Sequence, residues 1–110
     1  MPLTTHQGLG IAVLAAALST PVAHAVEGDA EQGRIKANTC LGCHAIPSYS
    51  NAYPYYHVPK LGGQHEAYIV SALIAYRNGT RSHETMQGNA ESLSDQDIAD
   101  IAAYFASVGR

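Results

Sequence analysis

Apolar positions recur at helical spacing along much of the chain. Ile98, Ile101, Phe105 and Val108 follow one another at intervals of three and four, just after Ser94-Asp95-Gln96-Asp97, an S-x-x-D capping pattern. This predicts a helix from Ser94 through that run. Upstream, Ile69, Val70, Leu73, Ile74 and Tyr76 form a broad apolar stripe over about 64–78, and Gly79 stands where a C′ glycine would end a helix. A first helix is expected over about 29–39, with acidic residues at its start and Arg34 and Lys36 further along, as the helix dipole favours. Its apolar content is thin (Ile35, Ala37, Leu41), so it should pack through a narrow seam. No stretch alternates with the period of a strand. The predicted class is all-α.

Between the first two helices lies a long irregular connection, 45–63, which holds four of the seven tyrosines. A structureless loop near twenty residues is unusual in a small domain. It needs something to wrap around, and a large flat apolar cofactor would serve.

The N-terminus changes the length that has to fold. Gly8–Leu18 is an almost unbroken run of small and aliphatic residues, followed by Ser19-Thr20-Pro21 and the small-x-small triplet Ala23-His24-Ala25. The order is that of a secretory signal peptide, and the run is too short to span a bilayer. It departs from the usual form in carrying no Lys or Arg ahead of the apolar run. Residues 1–25 are therefore expected to be a signal peptide and 26–110 the working domain, periplasmic and without stable membrane insertion after cleavage. All six Lys/Arg and all nine Asp/Glu lie in 26–110, giving a net charge of −3. That small acidic excess, with no basic cluster, argues against nucleic acid as a partner. A domain this short often needs a staple, a metal or a cofactor.

The only two cysteines fall in Thr39-Cys40-Leu41-Gly42-Cys43-His44. A redox-active C-x-x-C normally follows a strand in an α/β fold, and no strand is predicted. A zinc site needs four ligands; no second cysteine pair exists, and His57, His65 and His83 match no zinc spacing. The remaining reading is C-x-x-C-H as a haem c attachment site. Residues i and i+3 share one side of a helical turn, so both thiols can form thioethers along one porphyrin edge, and the adjacent His44 then becomes the proximal iron ligand.

Haem attachment calls for a second axial ligand downstream. Met86 is the sole methionine of 26–110, in a polar stretch that gives it no obvious packing role. His83, three residues earlier, is its main rival; a second histidine would give a lower potential than a thioether. His57 and His65 read as surface histidines.

Cys40–His44, Pro59-Lys60-Leu61-Gly62-Gly63-Gln64, Tyr76-Arg77-Asn78-Gly79-Thr80-Arg81, Met86 and Leu93-Ser94-Asp95-Gln96-Asp97 occur in that order. Together they resemble a bacterial class I c-type cytochrome of the short monohaem periplasmic kind. The same blocks recur in each half of related dihaem cytochromes. The resemblance implies a small cytochrome c fold, in which the N- and C-terminal helices cross and a third helix and a long loop wrap one haem c. It implies His/Met ligation by His44 and Met86 and a crossing built on Gly33 with Tyr104 or Phe105. It also implies that the Pro59 carbonyl accepts the proton on the far nitrogen of His44. Pro54 is the weaker candidate for that role. Two features depart from the family pattern: Ala45 stands where a glycine often follows the histidine, and 49–57 is unusually aromatic. Tyr53, Tyr55 and Tyr56 are either a cover for the haem or loop aromatics in local packing. The implied function is electron transfer by Fe(II)/Fe(III) cycling between a donor and an acceptor protein, a carrier rather than an enzyme.

Overall fold

Gly33 sets the architecture. A Cβ at this position would run into the backbone of Asp100 and come 2.8 Å from Cβ of Tyr104. Only a glycine lets the first helix, α1 (Ala30–Lys36), cross the last, α5 (Asp95–Ser107), at such close range. Gly28, five residues earlier and ahead of α1, meets the same helix against Ala99 and Ala103. The narrow seam is therefore Gly28, Gly33 and the fully buried Ala37, and Ile35 points away with 59% of its surface exposed. The structure, a computed structural model, describes residues 1–3 and 25–109, so the expected signal segment falls almost wholly outside the described residues.

The remaining elements are α2 (Asn38–His44), a short hairpin of β1 (Ser50–Ala52) and β2 (Tyr55–His57), α3 (Glu66–Arg77) and α4 (Glu84–Ala90). Helices dominate, as expected, but the described residues form five rather than three. The expected first helix is two: Ala37 adopts φ −76°, ψ 2° and separates α1 from α2. The expected helix over 64–78 begins two residues later and ends with Asn78 as C-cap and Gly79 at φ 82°. Met86, expected in a loop, stands in α4. The two strands pair antiparallel, with Asn51 opposite Tyr56, inside the connection read as irregular.

Ile98, Ile101, Ala102 and Phe105 of α5 bury against Ile69 and Leu73 of α3, with Ala37 and Ala90 closing the ends of the cluster. The Ser94 capping box forms as predicted: Asp97 N donates to Ser94 Oγ at 3.1 Å, and Ser94 N donates to Asp97 Oδ2 at 3.0 Å. Polar groups fix the α1–α5 crossing. Asp100 is 2% exposed, and its Oδ1 accepts from Asp29 N and Gln96 Nε2 while its Oδ2 accepts from Lys36 Nζ. At the other end of α5, Gly63 N donates to Phe105 O at 2.9 Å, so the long connection is tied down before α3 begins.

Candidate cofactor site

A cavity of about 380 Å³ opens between α2, the 56–61 segment, α3 and the α4 region, floored by Ile101 and Phe105 of α5. That is within the range of sites for small ligands and cofactors. Cys40, Cys43, His44, Pro59 and Met86 all line it. The sequence separated these residues by up to 46 positions, and the fold brings every one of them to one chamber.

Both cysteines are free thiols, placed three residues apart on α2 so that they share one side of the helix. Burial pushes the Cys40 thiol up, the opposite of the activated thiolate that disulfide exchange requires. Among the described residues no group of three or more His, Cys, Asp or Glu could hold a metal ion. The chamber offers instead two thiols, one thioether and three imidazoles, those of His44, His57 and His83.

The imidazole of His44 is oriented. His44 Nδ1 lies 2.6 Å from Pro59 O. A carbonyl oxygen can only accept, so Nδ1 carries the proton and Nε2 keeps its lone pair. A histidine that ligates a metal almost always donates its other N–H in this way. Pro59, rather than Pro54, supplies the oxygen. His57 is engaged at both nitrogens, with Ser50 Oγ at 2.8 Å and Tyr55 OH at 3.2 Å. His65 is exposed, the N-cap of α3.

His83 lines the same chamber but has no such support. Its Nδ1 is buried with no hydrogen-bond partner, the single such side-chain atom among the described residues. Its ring meets the edge of Tyr56 at 4.7 Å between centroids and 85° between planes. Of the three tyrosines in question, Tyr56 lines the chamber, while Tyr53 and Tyr55 are 95% and 69% exposed. The aromatic loop thus divides: one ring serves the chamber and two face solvent.

Arg81 was not singled out by the sequence. It lines the chamber with its guanidinium carbon 4.9 Å from the Tyr76 centroid and Nη1 donating to Tyr68 OH at 3.3 Å. That hydrogen bond raises its pKa further, so it is a permanent cation beside a largely apolar space. The spacing of the Asn-Gly-Thr-Arg stretch after α3 was the available signal, but nothing in it showed which way Arg81 would turn.

The residues fit a c-type haem. Two thiols on one helix side can take the two vinyl groups, His44 Nε2 is free to ligate, and Arg81 can meet a carboxylate. Residues 30–109 match the cytochrome c family model. The chain is 46% identical over 88 residues to cytochrome c4 of Pseudomonas aeruginosa, covering 80% of this chain and 42% of that one. It is 45% identical over 83 residues to cytochrome c-554(548) of Halomonas halodenitrificans, covering 73% and 96% respectively. The solved cytochrome c4 of Pseudomonas stutzeri superposes with a TM-score of 0.59 at 29% identity, over 78% of this chain and 53% of that one. The chain spans less than half the length of the cytochrome c4 proteins it matches in sequence. With two free cysteines and a preoriented histidine in one apolar chamber, the chain belongs to the cytochrome c family, whose haem c is bound covalently, and Cys40 and Cys43 are the thiols of its C-x-x-C-H motif.

Proposed function

We propose that residues 26–110 form an exported, periplasmic domain that carries single electrons with His44 and Met86 as the two axial ligands of its haem, residues 1–25 being removed as a signal peptide. The observation that carries this reading is the 2.6 Å contact between His44 Nδ1 and Pro59 O, with Met86 lining the same chamber. The haem supplies a one-electron Fe(II)/Fe(III) couple when bound.

The protein's part is to hold and to exclude. Cys40 and Cys43 fix one porphyrin edge to α2. His44 presents Nε2, its ring held by the Pro59 carbonyl and made a stronger donor by it. Met86 presents a neutral thioether, which favours the reduced state and a higher potential than a second imidazole would. Leu73, Ile101 and Phe105 keep water from the interior, and Arg81 would pair with a haem carboxylate at the polar edge. His44 and Met86 would together hold the iron from the protein side, which would leave no ligand position there for a substrate. No helix among the described residues is long and apolar enough to cross a membrane.

The test is the absorption spectrum of the oxidised holoprotein made in a periplasm. The expected result is a weak charge-transfer band at the red edge, from sulfur to iron, that disappears in Met86→Ala. A spectrum without that band in the unsubstituted protein sinks the His/Met assignment. N-terminal sequencing should begin at Val26.

A second reading has its own support. The cytochrome subunit of sulfide dehydrogenase from Chlorobaculum tepidum is 29% identical over 109 residues, covering 99% of this chain and 93% of that one. The same domain could serve as the electron outlet of a larger oxidoreductase. Affinity purification of the holoprotein decides it: a stoichiometric dehydrogenase partner favours the subunit, and a lone cytochrome favours the free carrier.

A further inference from the structure

α4 carries Met86 yet has little of its own to hold it. It is seven residues long, and its N-cap, His83, makes no side-chain capping bond. A helix of this length is marginal without tertiary support. Part of that support comes from one side chain of the hairpin. Tyr56 OH lies 3.1 Å from Thr85 Oγ1, and the Tyr56 ring packs at right angles to the His83 ring. Thr85 immediately precedes Met86, and His83 stands three residues before it, so Tyr56 grips the turn from both ends.

The same short segment reaches the other axial side. Val58 N donates to Tyr49 O at 2.9 Å, closing the hairpin, and Pro59 O accepts from His44. Residues 56–59 therefore touch the Met86 turn at one end and the His44 ring at the other. β2 ends at His57, and the three peptide links from Tyr56 to Pro59 set an upper limit on how far the two contacts can part.

From these contacts we infer that Tyr56 is a positioning residue for the sixth ligand. It holds the His83–Met86 turn closed over the chamber and, through residues 56–59, ties the placement of Met86 to that of His44. The inference rests on the reading of Met86 as a ligand. Its consequence is kinetic: the rate at which the thioether would leave the iron depends on a side chain that contacts Thr85 and His83 and is not itself a ligand.

The experiment follows imidazole entry into the oxidised holoprotein by stopped flow, because entry waits for the thioether to leave. Tyr56→Phe keeps the ring and loses one hydroxyl contact, and should speed entry by about fivefold, the worth of one ordinary hydrogen bond. Tyr56→Ala loses both contacts and should speed it by more than tenfold. Thr85→Val should match Tyr56→Phe, and the pair together should exceed neither, since they share one bond. Thermal melts run alongside: a purely structural role would lower the melting temperature in step and leave the entry rate at equal stability unchanged. If the red-edge sulfur band is present but the Phe and Val variants admit imidazole at the unsubstituted rate, the role of Tyr56 is wrong and Met86 ligation stands. If the unsubstituted protein has no such band, both fall.

Discussion

Lys36 Nζ sits 2.6 Å from Oδ2 of the buried Asp100, bridging α1 and α5 where the two helices cross. The same ammonium lies 2.8 Å from Asp97 Oδ1, so one cation serves two carboxylates of the last helix. Asp97 is thereby lowered to about 2, chiefly by its hydrogen bond to Lys36 and then by Ser94. Asp100 is also lowered, first by the Asp29 backbone N–H and then by Lys36. A carboxylate with a depressed folded-state pKa stabilises the fold above its unfolded value and loses that contribution as pH falls. The helix crossing should therefore weaken between about pH 4 and about pH 2. Denaturant midpoints across that range should fall in the unsubstituted protein and fall less in Asp100→Asn. At neutral pH Asp100→Asn should itself cost about 2 kcal/mol, because its amide would face the Lys36 ammonium.

Gly33 gives the second prediction. In Gly33→Ala the new Cβ meets the backbone of Asp100, which cannot swing aside as a side chain could. The helices must separate, at a cost of about 3 kcal/mol or more. Equilibrium unfolding of the holoprotein measures it. A melt unchanged from the unsubstituted protein would mean that the crossing is looser than this geometry.

The crossing also shows what the sequence could and could not reveal. Gly33 was legible through the family resemblance, which implies a glycine where the first and last helices cross; its physical reason is the close approach to the Asp100 backbone. The capping box at Ser94 and the C′ glycine at position 79 were legible because each is a local event, complete within five residues. α2 and α4 were not, since seven polar or mixed residues show no stripe and owe their form to what they pack against. Asp100 read as an ordinary polar helix position; its burial depends on Asp29 and Lys36, more than sixty residues away. At the site, Cys40, Cys43, His44 and Met86 could be named from residue type and spacing. Tyr56 and Arg81 could not, because four tyrosines crowd one loop and only the fold decides which of them turns inward.

Arg81 leads to an electrochemical prediction. A fixed positive charge beside the chamber favours the reduced state of a bound redox centre. Arg81→Gln should lower the midpoint potential, by about 40 mV if the interaction is near 1 kcal/mol. Protein-film voltammetry at low and high salt checks the sign, and the shift should shrink as salt screens the charge. An unchanged potential at low salt would place Arg81 away from the haem.

His83 supplies the sharpest test of which residue binds the iron opposite His44. For His83 to ligate through Nε2, its proton would have to sit on Nδ1, which is buried with no acceptor. An orphaned buried donor costs about 1–3 kcal/mol, a cost that His44 avoids through Pro59 O. Ligation through Nδ1 would require the ring to leave its contact with Tyr56. His83 should therefore fail to replace a missing thioether. Oxidised Met86→Ala is expected to show a high-spin spectrum and rapid cyanide binding, and Met86→Ala with His83→Ala should look the same by electron paramagnetic resonance. A low-spin bis-imidazole signal in the single variant, converting to high spin in the double, would put His83 on the iron and overturn the argument from its unpaired nitrogen.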